Sequence, residues 1–91
     1  MTKSKRLESM RLTDDGGVVW ELEYYVQIFD DEVGNTFYGI RIEKVGAEKS
    51  ISEETCGLTH SYEEVEYWIR KLAAGTVTPS SLHDIVDDLV G

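Results

Sequence analysis

The chain has 91 residues, with 9 Lys and Arg against 18 Asp and Glu, and a formal net charge of −9. This length predicts one domain over residues 1–91, and 41% hydrophobic residues exclude wholesale disorder. The acidic balance argues against direct binding to nucleic acid or to an anionic membrane, because both would repel the chain. No apolar run reaches the roughly 18 residues of a membrane span. We expect a cytoplasmic protein, since the start lacks a signal peptide's apolar stretch and one cysteine cannot form an internal disulfide.

The first part of the chain predicts an antiparallel sheet over residues 14–58. Residues 18–29 alternate apolar and polar side chains, which is typical of a strand with one buried face. The DDGG run at residues 14–17 favours a tight hairpin turn before that strand. Residues 1–13 are therefore either a basic arm or a first strand, with pairing expected over about residues 7–12.

Two further strands follow. A polar turn at residues 30–35 leads into a second alternating run over residues 37–45. A turn at Gly46 and Ala47 then precedes a weaker strand near residues 50–56. Together these runs predict a meander of three to four strands.

Two helices are predicted after the sheet, over residues 61–74 and 78–90. Ser61 and Glu64 have the spacing of a capping box, Gly75 is typical of a helix end, and Thr78 with the following proline begins the second helix. Apolar residues at helical spacing are Val65, Trp68, Ile69 and Leu72 in the first helix, and Leu82, Ile85, Val86 and Leu89 in the second. The predicted fold class is α+β, an antiparallel meander followed by two short helices packed on one face.

Trp20 and Tyr24 lie on the apolar face of the predicted strand, and we expect them to form the core with Trp68.

Three runs of the chain resemble a known family. They are residues 39–44 (GIRIEK), 71–79 (KLAAGTVTP) and 82–89 (LHDIVDDL). Over residues 36–90 the chain resembles a family of small uncharacterised proteins from clostridial-type bacteria. The resemblance implies an α+β domain of unknown function that carries no catalytic motif.

The charge is distributed unevenly along the chain. Residues 1–13 have four basic side chains and one acidic side chain, a net charge of +3, and the rest has five basic and seventeen acidic, a net −12. No Lys or Arg occurs between Leu12 and Ile40. We expect a partner-binding set made of Asp14, Asp15, Glu21, Glu23, Tyr25, Asp30, Asp31, Glu32, Asp84, Asp87 and Asp88.

Metal binding and catalysis have weaker signals. Cys56 and His60 are four residues apart, and His83 or a carboxylate would have to complete a zinc site that needs four ligands. A lone cysteine is more often a small buried hydrophobic residue. No phosphate-binding loop, dinucleotide-binding or hydrolase motif is present, so the chain is predicted to be no enzyme and to need no cofactor.

The leading hypothesis is an acidic interaction protein that binds a basic surface of a protein partner. Its most specific form is a phage-type inhibitor that imitates nucleic acid and blocks a nuclease such as a CRISPR effector. One alternative is a housekeeping accessory or dimeric scaffold protein whose acidity only keeps it soluble. Another is a small zinc-stabilised module built on Cys56, His60 and His83.

Overall fold

Four antiparallel strands and two helices make up the fold of this computed structural model, which describes residues 2–90. Met1 and Gly91 of the predicted domain lie outside the described residues. The elements are β1 (Thr2–Thr13), β2 (Val19–Asp30), β3 (Thr36–Val45), β4 (Ser50–Glu54), α1 (Tyr62–Ala74), a 3-10 turn (Pro79–Ser81) and α2 (Leu82–Val90). The strands neighbour each other in chain order, so the α+β meander with helices on one face is confirmed.

β1 is longer than the sequence pattern indicates. The whole arm pairs with β2, from Thr2 opposite Phe29 to Thr13 opposite Val19. A register shift between Arg6 and Glu8 marks a bulge, which leaves Arg6 and Glu8 on opposite faces of the sheet. Alternation of apolar and polar residues is weak in this arm because both its faces carry polar side chains. The arm forms a strand because it pairs with β2.

The core lies between one face of the sheet and the helices. Residues that alternate along the strands meet the predicted helical stripes there, since neighbouring positions on a strand point to opposite faces. The cluster contains Leu22, Tyr24, Val26, Ile40, Ile42, Val65, Trp68, Ile69, Leu72, Ala73, Leu82 and Val86. Fully burying one large aliphatic side chain stabilises the fold by about 1.5–3 kcal/mol, so this cluster supplies the main driving force.

Tyr24 and Trp68 are in the core cluster as expected, and Trp20 is buried too, but it lies outside that cluster. Its indole N–H donates to the Asp14 carboxylate over 3.1 Å, and the Lys44 ammonium lies 4.6 Å from the ring centroid. The turn after β3 packs against the ring, because a Cβ added to Gly46 would lie 2.8 Å from it. Trp20 therefore packs between the first hairpin and the turn after β3, which lie at the same end of the sheet.

α1 begins with half of the predicted capping box. The Ser61 hydroxyl accepts the backbone N–H of Glu64 over 3.2 Å, but the Ser61 N–H donates to Thr59 Oγ1 and not to Glu64. At the other end the left-handed residue is Thr76, with φ 52°, while Gly75 has φ −89°. Gly75 therefore caps the end of α1 as predicted, and the left-handed position falls one residue later.

The second predicted helix divides into two parts. Thr78 precedes a 3-10 turn that starts at Pro79, and α2 begins only at Leu82. The Thr78 side chain makes no capping bond to that turn; its hydroxyl lies 3.2 Å from the Ser80 hydroxyl. β4 also ends before Cys56, at Glu54, after which the chain follows β3 up to a bridge between Tyr38 and Thr59.

Candidate interaction surfaces

Asp14 builds the first hairpin. Its Oδ1 accepts the backbone N–H groups of Gly16 and Val18, each over 2.9 Å, and its Oδ2 accepts the Trp20 indole N–H. The hydrogen bond from Trp20 and the one from Val18 lower the pKa of Asp14 below its ordinary value. Because its oxygens already serve the turn, Asp14 has a structural role that the sequence prediction of a partner contact did not include.

Asp31 does the same at the second hairpin. It accepts the backbone N–H groups of Val33 and Asn35 over 3.0 and 2.9 Å, and the Asn35 amide over 3.1 Å. These bonds, those from Asn35 first, lower the pKa of Asp31. Asp30 accepts the Thr36 hydroxyl over 2.9 Å, so two of the three acidic residues here hold the turn together and Glu32 is exposed at its tip.

Glu21, Glu23 and Tyr25 lie on the face of the sheet opposite the helices, which we call the open face. Glu21 pairs with Arg11 over 3.5 Å, and Glu23 pairs with Arg6 over 3.0 Å. Tyr25 donates to the other Glu23 oxygen over 3.0 Å, and burial followed by this bond raises the pKa of Tyr25. The basic arm therefore neutralises this part of the predicted binding set within the chain.

A second group of carboxylates lies where β4 meets α2. The His83 ring contacts the Glu53 carboxylate over 3.3 Å, which places the start of α2 against β4. Asp87 is four residues after His83 and so shares its side of the helix. We call Glu53, Asp84, Asp87 and Asp88 the acidic edge; all four are exposed, and neither β4 nor α2 carries a Lys or Arg.

The candidate metal ligands have other contacts. His60 Nδ1 donates to the Thr36 carbonyl over 3.1 Å, and its ring packs on Phe37 with centroids 4.2 Å apart. His83 contacts Glu53, and Cys56 is exposed, unlike the buried cysteine that its residue type favours. Within residues 2–90 no group of three or more His, Cys, Asp or Glu side chains could hold a metal ion.

Residues 3–91 match a family described as a family of unknown function, DUF6514. The chain belongs to this family. The match covers the first hairpin as well as the segment from residue 36 onward, on which the sequence resemblance depends. No curated protein and no solved structure matches the chain. In the part of the chain described here, neither helix is long and apolar enough to cross a membrane.

Glu53 is the acidic-edge residue that sequence reasoning missed. It belongs to a short strand in which all five residues are exposed, and no motif marks it. Its place in the acidic edge depends on its closeness to α2, which begins 29 positions later in the chain. The 3-10 turn before α2 packs on β3 and β4 and so brings His83 to Glu53.

Proposed function

We propose that this chain is a non-enzymatic interaction protein whose acidic edge binds a basic surface of a protein partner. The observation that supports this most is the grouping of four exposed carboxylates on two elements that carry no Lys or Arg. Six of the nine cations lie on other elements: four are on β1, and Arg70 and Lys71 are in the last turns of α1. Of the other three, two are on β3 and Lys49 is in the turn before β4. Such separation of charge favours a partner of opposite sign and fast, oriented association.

The end of α2 adds a second argument. Asp87 and Asp88 lie in its last turn, where the helix dipole opposes negative charge by about 0.3–1 kcal/mol each, and no basic residue is present there. Carboxylates at this position lower the stability of the helix. A role in binding explains why they stand where a Lys or Arg would stabilise the fold.

The narrower proposal is a phage-type inhibitor that imitates nucleic acid and occupies the binding channel of a nuclease such as a CRISPR effector. Exposed Asp15 and Glu32 at the two hairpins extend the negative surface away from the acidic edge. The small size and the net charge of −9 support this form of the proposal. Because like charges compete for one channel, DNA or guide RNA should displace the protein from such a partner.

The test is affinity capture of the tagged protein's partner from the source cells. We expect capture at about 0.05 M salt and loss at about 1 M salt, where the Debye length falls to about 3 Å. The triple variant D84N/D87N/D88N should lose the partner at low salt, while the control E63Q/E64Q, at the exposed start of α1, should retain it. Capture that is unaffected by salt, or by the triple variant, would contradict the proposal.

The alternative proposal is a dimeric scaffold in the cytoplasm, in which the acidity serves solubility alone. The open face supports this alternative, since Arg and Glu side chains lie side by side there. In a symmetric dimer, positive groups of one copy could pair with negative groups of the other. Molar mass in solution measured over a range of protein concentrations separates the two proposals. A stable dimer whose partner capture survives D84N/D87N/D88N would favour the scaffold.

A further inference from the structure

The open face contains a cavity of about 530 Å³, on the other side of the sheet from the acidic residues of α2. Gln27, Phe29, Arg41, Glu54 and Cys56 contribute to its lining, and so does Lys3 of β1. Cavities of about 300–1,000 Å³ are typical of sites for small molecules.

Backbone closes one side of this cavity. Gly39 is the cross-strand neighbour of Gln27, and a Cβ added to Gly39 would lie 2.6 Å from the Cys56 carbonyl oxygen and 2.8 Å from Thr55 Oγ1. The segment after β4 therefore passes directly over Gly39. As a result Gln27 is only 3% exposed, although it lies on the face that the helices leave uncovered.

Arg41 and Glu54 are directly opposite each other on β3 and β4. Side chains in such positions have Cβ atoms about 4.5–5.5 Å apart and, with opposite charges, normally pair with each other. Here Arg41 and Glu54 do not pair with each other: Arg41 Nη2 forms an ion pair with Glu43, and Glu54 Oε2 accepts the Gln27 amide N–H.

In this arrangement a positively charged donor group and negatively charged acceptor atoms in one cavity can still bind a ligand. The Arg41 guanidinium has five N–H donors, of which the Glu43 contact uses one. Glu54 has a second oxygen besides the one that accepts from Gln27, and the Gln27 amide oxygen adds an acceptor. A cation and an anion that are held side by side by separate partners match a ligand that carries both charges.

We propose that this cavity binds a free α-amino acid with an apolar side chain. The ligand carboxylate would bind the Arg41 guanidinium, since that geometry permits two parallel hydrogen bonds. The ammonium group would bind Glu54 and the Gln27 oxygen, and the side chain would rest on Phe29. In an α-amino acid the two charged groups share one carbon atom, which fits the close spacing of Arg41 and Glu54.

Other small ligands fit less well. A dicarboxylate or a phosphate could contact Arg41 and Lys3 but would place negative charge beside Glu54, and a simple amine would leave the Arg41 donors unused. The inference is independent of the proposed function, because Asp84, Asp87 and Asp88 do not line this cavity.

The experiment is an NMR titration of the full chain with L-leucine, compared with N-acetyl-L-leucine and L-leucinamide. Leucine should shift the amide signals of residues 27, 41 and 54–56 with a dissociation constant of about 1 mM. Each companion lacks one charge and should bind about ten-fold more weakly or worse, because it loses a charge-assisted hydrogen bond.

Two variants locate the site. E54Q, which is nearly isosteric, should weaken leucine binding by about ten-fold. E53Q is the matched control, since Glu53 is adjacent on β4 but lies on the opposite face of the sheet. Absence of shifts with leucine, equal binding of N-acetyl-L-leucine, or unchanged binding by a folded E54Q variant would overturn the proposal.

Discussion

Single carboxylates organise both hairpins. Asp14 and Asp31 each begin a turn and each accept two backbone N–H groups, while Gly17 and Gly34 supply the left-handed positions with φ 80° and 87°. Short acidic side chains at such positions stabilise turns by replacing backbone hydrogen bonds. Part of the negative charge of this chain therefore serves to stabilise the two hairpin turns.

Replacing Asp14 by Ala should lower the free energy of unfolding, because three N–H donors lose their acceptor. The pKa of Asp14 in the folded chain lies below the ordinary 3.8, so its contribution is present above that pH and is lost as the pH falls through the folded pKa. Urea titrations of wild type and D14A over a pH series should show a difference that shrinks in acid. The neighbouring variant D15A should change stability little at any pH.

Thr76 is the one non-glycine residue among residues 2–90 with a positive φ. A left-handed conformation costs an L-residue about 1–2 kcal/mol, and glycine avoids this steric cost. We expect T76G to raise the free energy of unfolding by about 1 kcal/mol in chemical denaturation. T76A, which keeps a Cβ at the left-handed position, is the control and should give no comparable gain. A destabilised T76G would mean that the Thr76 side chain makes a favourable contact.

At the scale of elements, Tyr24 connects β2 to the segment between the helices. Its ring is fully buried in the core, and its hydroxyl donates to the Val77 carbonyl over 2.8 Å. Val77 also donates its N–H to the Leu72 carbonyl, which closes α1. One side chain thus fixes where α1 ends over the sheet, and burial raises the pKa of Tyr24 to about 12.

Y24F should lower the free energy of unfolding by about 1 kcal/mol, because the partly buried Val77 carbonyl loses its donor while the packing of the ring is retained. Hydrogen exchange should show the largest change around residues 72–77. Y25F is the matched control, since the Tyr25 hydroxyl donates to a carboxylate at the open face that also pairs with Arg6. A loss in Y25F as large as in Y24F would contradict this role.

At the scale of the whole molecule, charge separates across the width of the sheet. β1 carries Lys and Arg, and Arg70 of α1 pairs with Glu8 on that side. The opposite side is formed by β4 and α2, with the acidic edge and no Lys or Arg on either element. A net charge of −9 therefore does not spread evenly over the surface but leaves one side strongly negative.

D87N/D88N should change stability and binding in opposite directions. Removing two negative charges from the last turn of α2 should raise the free energy of unfolding by about 0.5–2 kcal/mol, as the helix dipole requires. The same variant should weaken capture of the proposed basic partner. Thermal denaturation and the capture assay measure the two effects. A variant that is more stable and still captures the partner as well as wild type would contradict a binding role for Asp87 and Asp88.

Local patterns predicted the elements because their causes are local. The alternation over β2, the Ser61 cap and the stripe of Val65, Trp68 and Leu72 depend only on neighbours within a few residues. The candidate site was less predictable. Glu23 is paired because a bulge brings Arg6 to it, and Glu53 joins α2 only through tertiary packing.

The sequence by itself determined the fold class, the order of strands and helices, and the excess of negative charge, since composition and periodicity set these. Tertiary structure alone decided how that charge is used: bound within the hairpins, neutralised by the basic arm, or left exposed at the acidic edge. It also placed Arg41 opposite Glu54 above a buried Gln27. The physical reason is that electrostatic interactions depend on distances between strands and helices, which are set by packing and register rather than by position in the chain.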